Sequence, residues 1–239
     1  MKKLTRMLAL ACMMCAGYVG GADATSYDYG DAPGYQQAKH STDQWQTLGT
    51  LWSNEPSQRS EDNDDGVSWS LDNGNTWGHD TVTNGQAVWF RFEMHKKLWG
   101  RHLYDGLKVW IDWNQDEDFT DTDEKVYQDA WYFRQAPGYR YGDDVADISR
   151  WFYMTLEIPE DALLGETWLR ARVTCDESIG GNLDNMDPTG YLWQGEVEDW
   201  KLKIEEAMAP PASIPEPSTM LLLGIGLGSA ALFGRRNRK

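Results

Sequence analysis

The sequence contains few cysteines, which limits how the folded protein can be stabilised. Two of its three cysteines, Cys12 and Cys15, lie in an N-terminal apolar segment, so Cys175 alone remains in the rest of the chain. A single cysteine cannot form an internal disulfide. The domain must therefore be held by its hydrophobic core, with metal ions as a second source of stability. Cys175 ends an alternating run that begins at Trp168, and we expect it to be buried in a strand rather than to act as a nucleophile.

Positive charge is also scarce. The chain has 22 Lys and Arg against 38 Asp and Glu, which gives a formal net charge of −16. Both ends are basic, and residues 25–214 hold 15 basic and 36 acidic residues, a net charge of −21. Because this charge repels a phosphate backbone, we expect no nucleic acid partner. The carboxylates form either a solvated acidic surface or clusters that hold divalent cations, and their spacing must decide between the two.

The N-terminal 24 residues have the features of a Sec-type signal peptide. Positive charges at Lys2, Lys3 and Arg6 precede an apolar run, and Ala22 and Ala24 place small residues at the −3 and −1 positions. We therefore expect residues 1–24 to be removed after Ala24 during secretion.

No apolar run is long enough to be a robust membrane span. The longest candidate, residues 220–233, has 14 residues and three glycines, and would measure about 21 Å as a helix. It follows Pro215-Glu216-Pro217 and precedes a basic tail with Arg235 and Arg236. Residues 206–214, rich in alanine and proline, read as a linker to this segment.

This order of motif, short apolar helix and arginine cluster resembles the PEP-CTERM sorting signal, here residues 215–239. The resemblance implies recognition by an exosortase in a Gram-negative bacterium. It also implies transient insertion in the inner membrane, removal of the tail, and delivery to the cell surface or to an extracellular matrix of exopolysaccharide.

The region between the two ends, residues 25–205, shows the alternation of β-strands. Apolar side chains recur at every second position around Val88–Met94, Leu107–Ile111, Phe152–Ile158, Leu169–Cys175 and Trp200–Ile204. Segments rich in Gly, Asn, Asp and Pro separate these runs, and no amphipathic helix of 12 or more residues is evident. The pattern predicts an all-β domain, an antiparallel β-sandwich of jelly-roll-like form.

One loop has the oxygen spacing of a calcium site. Counting Asp112 as the first position, oxygen-bearing side chains occur at positions 1, 3, 5, 7, 9 and 12. Glu117 stands at position 6, where a glycine usually permits the sharp turn, and the strand-like run before Asp112 indicates a loop grafted onto a strand end. A solvated acidic turn is the alternative, although so many carboxylates repel one another unless a cation lies among them. The candidate ligands are Asp112, Asn114, Asp116, Asp118, Asp123 and Glu124.

Two further carboxylate groups are candidate metal ligands, Asp64 with Asp65, and Glu196 with Glu198 and Asp199. Extending the alternation of Trp200–Ile204 backward places Glu196 and Glu198 on the core-facing side of the strand. Buried carboxylates need a partner, and we expect an arginine such as Arg170 or Arg172, or a bound cation.

The 13 tryptophans of the chain allow two interpretations. Exposed rings stack on sugars, which would suit an exopolysaccharide matrix, whereas buried rings fill a core that lacks disulfides. Trp89, Trp110 and Trp168 fall on the face opposite the aliphatic side chains of their strands, and are the candidate sugar-binding residues.

An enzymatic function has little support in the sequence. Glu196 and Glu198 could act as a general acid and base on a polysaccharide, and Cys175 could pair with a histidine. Neither arrangement has a local signature, and the four scattered histidines form no zinc pattern. We therefore expect a domain without catalytic activity.

Six segments in order resemble the GEVED domain, an extracellular bacterial module with a predicted β-sandwich fold. The resemblance implies a surface module of no known reaction and covers most of the exported region. Trp200 replaces the usual tyrosine, and residues 115–117 replace a usual Gly-Asp-Gly. The matching segments are 29–33 with Tyr35 and His40, then 48–49, 64–67, 110–114, 169–172 and 195–199.

Overall fold

The computed structural model of the protein describes residues 27–41, 45–52, 55, 63–97, 102–132 and 147–208. Its secondary structure is almost entirely β, with two short 3-10 turns at Asp176–Ile179 and Leu183–Asn185. No helix in these ranges is long and apolar enough to cross a membrane. The strands are β1 (Tyr27–Tyr29), β2 (Ala38–Ser41), β3 (Gln46–Leu48), β4 (Val67–Ser70), β5 (Val82–Thr83), β6 (Ala87–Lys96), β7 (Tyr104–Ile111), β8 (Lys125–Tyr132), β9 (Ile148–Glu157), β10 (Gly165–Cys175), β11 (Gly190–Trp193) and β12 (Glu196–Glu205).

Two sheets form the body of the domain. The first has the order β5-β12-β10-β7-β8, and its central strands run antiparallel. In the second, β9 pairs with β6 along its whole length, so β3 and β4 share the opposite edge of β6. A smaller sheet of order β1-β2-β11 completes the described fold.

The core lies between the five-stranded and the four-stranded sheet. Alternate side chains of β6, such as Phe90 and Phe92, pack in one apolar cluster with alternate side chains of β7 and β10, such as Val109 and Leu169. Cys175 is fully buried at the end of β10, as expected from its phase. Two sheets that bury one face each against the other form a sandwich, which confirms the predicted fold class.

The outer face of the five-stranded sheet is covered as well. Trp110 of β7 points away from the sandwich core into a second cluster that includes Tyr35, Phe119, Met186 and Leu192. Arg170 and Arg172, on the same outer face of β10, are fully buried. The alternation of β7 and β10 therefore separates two buried environments rather than a core from solvent.

Candidate functional site

The acidic loop, residues 112–124, connects β7 to β8 at one end of the five-stranded sheet. Its first carboxylate organises the turn, because Asp112 accepts hydrogen bonds from the backbone N–H of Gln115 at 2.6 Å and of Glu117 at 3.2 Å. Asn114 Oδ1 accepts from Asp116 N at 3.1 Å, which continues the winding. Side-chain acceptors of this kind replace backbone pairing in tight turns. The loop thus winds around its own oxygen atoms on a strand end, as the sequence predicted.

Glu117 occupies the position where a glycine was expected, and it adopts the conformation that favours glycine. Its φ is 66°, and Gln115 two residues earlier has a φ of 55°. A left-handed conformation costs an L-residue about 1–2 kcal/mol. The sharp turn is therefore made without the glycine, at the expense of local strain.

Three carboxylates of the loop converge. Oxygen atoms of Asp112, Asp116 and Glu124 lie within 4.8 Å of one another, and no comparable group of acidic, histidine or cysteine side chains occurs elsewhere in the described residues. Asp112 is fully buried and Glu124 is 1% exposed, whereas Asp123 points to solvent. Of the two acidic candidates that close the loop, Glu124 rather than Asp123 belongs to the cluster.

Glu124 carries an unsatisfied oxygen. Its Oε2 accepts a hydrogen bond from Asp121 N at 3.1 Å, but Oε1 is buried and has no hydrogen-bond partner among the described residues. Burial, together with the charges of Asp112 and Asp116, raises the pKa of Glu124 to about 8. A buried carboxylate without a partner is costly, and a cation would remove that cost.

The other candidate ligands of the loop lie at its rim. Asn114 is exposed and donates through Nδ2 to Asp121 Oδ2 at 2.7 Å. Asp118 is half-buried, and its Oδ1 accepts from the N–H and the hydroxyl of Thr120, both at 2.8 Å. Both residues retain further oxygen lone pairs that can face an ion.

Tyr35 completes the site from a distant part of the chain, and sequence reasoning did not identify it as a site residue. Its phenol donates a hydrogen bond of 2.5 Å to Asp112 Oδ2. The ring of Tyr35 stacks on that of Phe119, with 4.7 Å between their centroids. The guanidinium carbon of Arg170 lies 4.9 Å from the centroid of the Phe119 ring. Burial and the neighbouring Asp112 raise the pKa of Tyr35 above its usual value, so the phenol remains a donor. No local signal links Tyr35 to Asp112, although both belong to segments of the GEVED-like pattern.

Glu196 and Glu198 lie on the core-facing side of β12, opposite Val173 and Ala171, as the alternation predicted. Their partners are backbone amides and, for Glu198 Oε2, the indole Nε1 of Trp200 at 3.0 Å. Glu196 Oε2 accepts from Leu48 N at 2.5 Å, and Glu198 Oε1 accepts from the N–H groups of residues 65 and 66 at 2.9 and 2.8 Å. The expectation of an arginine partner was wrong, because Arg170 and Arg172 lie on the opposite face of β10. The two glutamates attach the segments around β3 and β4 to β12.

The remaining acidic candidates also hold backbone groups. Asp65 accepts from the N–H of Thr50 at 3.0 Å and of Leu51 at 3.1 Å, and Asp64 Oδ2 accepts from Asp199 N at 3.2 Å. These contacts place Asp64, Asp65 and Asp199 in a hydrogen-bonded network rather than around a shared cavity.

Asp199 and Arg170 form a buried ion pair on the outer face of the five-stranded sheet. Arg170 donates through Nε and Nη2 to the two oxygens of Asp199, each at 2.7 Å, and both side chains are fully buried. Asp199 also accepts from Ala32 N at 2.9 Å. The preceding Gly195 has a φ of 100°, and a Cβ there would collide with the carbonyl oxygen of Val173. The 195–199 segment therefore has structural reasons for its glycine and its carboxylates.

His40 and Arg172 form a second buried contact. Arg172 Nε donates to His40 Nε2 at 3.0 Å, and His40 Nδ1 lies 2.9 Å from the carbonyl oxygen of Gln194. Burial and the adjacent Arg172 hold the pKa of His40 well below its usual value. His40 is therefore neutral, with its proton on Nδ1.

Two residues considered for the enzymatic alternative, Cys175 and His79, lie in structural contacts. Cys175 is buried, which raises its thiol pKa to about 12, whereas a nucleophilic cysteine needs a lowered pKa. His79 bonds to the carbonyl oxygen of Val67 and stacks on Trp200.

The three candidate sugar-binding tryptophans lie on two different sheets. Trp89 is 36% exposed on the outer face of the four-stranded sheet. Trp110 is 3% exposed within the second cluster, and Trp168 is half-buried beside it, 5.7 Å from Lys201 Nζ. They do not form one platform. Trp110 instead lines a cleft of about 450 Å³ next to the acidic loop.

The predicted signal peptide with Ala22 and Ala24 lies outside the described residues. The same holds for the sorting motif Pro215-Glu216-Pro217, the apolar segment 220–233, and Arg235 with Arg236.

Comparison with known families found matches to two parts of the chain. The GEVED domain family matches residues 106–203, and the PEP-CTERM protein-sorting motif matches residues 213–239. The motif is the recognition signal of an exosortase, and it indicates export and surface sorting in a Gram-negative bacterium. Comparison with curated proteins found no match.

Two solved structures illustrate what a structural comparison returns for this chain. A CARDB domain from Pyrococcus furiosus, crystallised with di-metal ions, is 10% identical with a TM-score of 0.32, over 59% of this chain and 86% of that one. The C-terminal domain of wzt is 12% identical with a TM-score of 0.33, over 59% of this chain and 72% of that one.

Proposed function

We propose that this chain, a GEVED-domain protein with a PEP-CTERM sorting motif, is a non-catalytic surface or matrix module stabilised by a calcium ion in the acidic loop. In this proposal an exosortase recognises and removes the C-terminal tail, after transient anchoring in the inner membrane. The exported β-sandwich then remains at the cell surface or in the extracellular matrix.

One observation supports the calcium site above all others, the unsatisfied Oε1 of Glu124. It is buried within a cluster that already contains the carboxylates of Asp112 and Asp116. Asp112 and Glu124 are buried and Asp116 is exposed, so the ionised forms of these three carboxylates repel one another, and this repulsion helps to raise the pKa of Glu124 to about 8. A divalent cation among them would turn that repulsion into attraction and give Oε1 a ligand bond.

The donor chemistry favours calcium over other metals. Every candidate ligand in the loop, including Asn114 and Asp118, offers oxygen, and calcium takes six to eight oxygen ligands in flexible geometry. Zinc and the later transition metals prefer nitrogen and sulfur, which the cluster does not contain. Magnesium demands a near-ideal octahedron and retains its water more strongly.

Calcium in this loop would stabilise more than the loop itself. Phe119 of the loop contacts both Tyr35 and Arg170, so the loop contributes a side chain to the second apolar cluster. An ion that fixes the loop would therefore also fix the cover of the five-stranded sheet. This would provide stability to a domain whose described part holds one free cysteine.

Thermal unfolding of the purified protein tests the calcium claim. We expect the midpoint to rise in calcium relative to chelator, since ligand at about 100 times its dissociation constant adds about 2.7 kcal/mol to the free energy of unfolding. Magnesium at the same concentration serves as the control and should shift the midpoint less. Equal midpoints in calcium and chelator would contradict the proposal.

Carbohydrate binding, with exopolysaccharide as the partner, is a second candidate function. One observation favours it, the exposed aromatic side chains on the outer face of the four-stranded sheet, which include Trp89 and Tyr153. On the five-stranded sheet, by contrast, Trp110 is buried in the second cluster and Trp168 is half-buried against it.

A further inference from the structure

The outer face of the four-stranded sheet presents a group of aromatic rings around one arginine. On β6, Phe90 and Phe92 face the core, so Trp89 and Arg91 face outward. On β9, by the same alternation, Trp151 and Tyr153 face outward beside them. The register sets Arg91 directly opposite Tyr153. Trp77, from the segment after β4, joins this surface, which we call the aromatic face and define as Trp77, Trp89, Arg91, Trp151 and Tyr153.

Arg91 is fixed within the aromatic face. Its guanidinium carbon lies 4.4 Å from the ring centroid of Trp77 and 4.4 Å from that of Trp151. Its Nε donates to Ser68 Oγ at 2.7 Å. No residue in the described ranges accepts a hydrogen bond from its Nη1 or Nη2. A planar donor group is thus held in place by two rings, with its terminal N–H groups available.

Two rings of the aromatic face are exposed, and the other two, those of Trp77 and Trp151, are half-buried. Tyr153 is 54% exposed and Trp89 is 36% exposed. The ring centroids of Trp77 and Tyr153 are 5.9 Å apart, and Gly74 packs against both Trp77 and Trp89, where an added Cβ would lie 3.3 and 3.6 Å from the two rings. Large aromatic side chains exposed together on a soluble protein mark an interaction surface more often than isolated ones do.

The chemistry of the aromatic face suits a sugar chain without charge. Pyranose rings present C–H groups on their faces, which pack on the electron-rich faces of tryptophan and tyrosine. The Nη groups of Arg91 can donate to two neighbouring hydroxyls of the same sugar. A polyanionic chain is disfavoured, because the protein carries a net charge of −16.

We propose that the aromatic face binds an uncharged polysaccharide chain, with Trp151 and Tyr153 as the stacking platform and Arg91 as the hydroxyl donor. This inference rests on the second candidate function above and assigns it a surface, residues and a ligand class. It replaces Trp110 and Trp168, which lie on the other sheet, and does not depend on calcium.

Affinity electrophoresis of the purified protein tests this assignment. The gels contain the neutral or the acidic fraction of exopolysaccharide from the producing bacterium, separated by anion exchange. We expect the neutral fraction to retard the protein, and Tyr153→Ala and Trp151→Ala to weaken the apparent affinity about tenfold each. Arg91→Lys, which keeps the charge but loses the planar pair of donors, should weaken it as well.

Tyr191→Ala is the matched control. Tyr191 is 57% exposed on β11, against 54% for Tyr153 on β9, and lies outside the aromatic face. Retardation that Tyr153→Ala removes and Tyr191→Ala preserves supports the proposal. Thermal midpoints of all variants, measured in parallel, show that each is folded.

Four results would overturn the proposal, and they differ in which other claims they contradict. Retardation by the neutral fraction that survives all three aromatic-face substitutions contradicts this surface but leaves carbohydrate binding intact. Retardation by the acidic fraction alone contradicts the ligand class. Retardation by neither fraction contradicts both the assignment and the second candidate function, and the calcium proposal is unaffected. A self-association that Tyr153→Ala abolishes, seen by sedimentation, would assign the face to a second copy of the chain instead.

Discussion

The phenol of Tyr35 donates a hydrogen bond of 2.5 Å to Asp112 Oδ2, across 77 positions of the sequence. This contact joins the N-terminal part of the domain to the first residue of the acidic loop. Because Asp112 is fully buried, Tyr35 is one of the few donors that balance its charge.

Replacing Tyr35 with phenylalanine removes this donor and leaves the ring in place on Phe119. A hydrogen bond to a buried charged group contributes about 1.5–3 kcal/mol, so we expect the free energy of unfolding in chelator to fall by about that amount. Urea denaturation measures it. The control is Tyr29→Phe, at a half-buried tyrosine whose ring contacts Lys39 and whose phenol makes no hydrogen bond within the described residues. Equal losses in the two variants would contradict the role given to Tyr35.

Glu117→Gly should relieve the strained turn of the acidic loop. The φ of 66° at this position is left-handed, and glycine adopts it without the penalty of a side chain. We expect the free energy of unfolding to rise by up to about 1 kcal/mol, after the greater freedom of glycine in the unfolded chain is subtracted. Thr122→Gly, at an exposed loop position without a left-handed φ, should instead lower stability. If Glu117→Gly and Thr122→Gly both lowered the free energy of unfolding, the backbone at Glu117 would not be strained.

Arg170→Met should be severely destabilising, because it leaves Asp199 buried without its cation. Breaking one side of a buried pair costs about 3–5 kcal/mol. Lys201→Met is the matched control, since its partner Glu166 lies 3.8 Å away and both side chains are more than half exposed. Such a surface pair contributes about 0–1 kcal/mol. Chemical denaturation of the two variants should differ accordingly, and similar losses would contradict the buried role of Arg170.

The pH dependence of stability should reflect Glu198. Burial raises its pKa to about 7 from a usual value of 4.5. The folded state therefore binds the proton more tightly than the unfolded state does. The stabilising contribution of Glu198 to the free energy of unfolding is therefore fully present below pH 4.5 and is lost as the pH rises through about 7. His40 acts in the opposite direction, because its lowered pKa makes the folded state lose stability below pH 6.5.

Glu198→Gln isolates the first effect. In chelator, we expect the wild-type free energy of unfolding to change more unfavourably between pH 5 and 8 than that of the variant, whose residue 198 cannot ionise. Denaturant titrations at several pH values give the two slopes. Parallel slopes would show that Glu198 does not titrate in this range.

Much of the fold could be predicted because period-2 alternation survives in β6, β7, β9, β10 and β12. The phase of Trp200, Leu202 and Ile204 placed Glu196 and Glu198 on the core side correctly, and the oxygen spacing from Asp112 located the acidic loop. The strand β8 was missed, since its exposed edge position removes the regular apolar alternation. Where the alternation was present, it assigned the residues of the strand to the correct face of the sheet.

The partners of these residues could not be predicted, because they depend on how distant segments are stacked. The backbone amides that hold Glu196 and Glu198 come from residues more than 130 positions earlier. The rings that pack on Arg91 belong to Trp77, after β4, and to Trp151 on β9. Trp110 was expected to be exposed, and it is buried because long-range contacts cover the outer face of the five-stranded sheet. The sequence of a strand indicates which side chains share one face of the sheet, whereas the residues that pack against that face depend on the topology of the fold.

Calorimetric titration of calcium into the chelator-treated protein tests the central claim most directly. The account predicts saturable binding at the acidic loop, weakened at least about tenfold, or 1.4 kcal/mol, by Glu124→Gln and little changed by Asp123→Asn. The two substitutions remove one negative charge each from adjacent positions, one buried in the cluster and one exposed. Absence of binding, or equal weakening by both substitutions, would contradict a calcium ion held by Glu124.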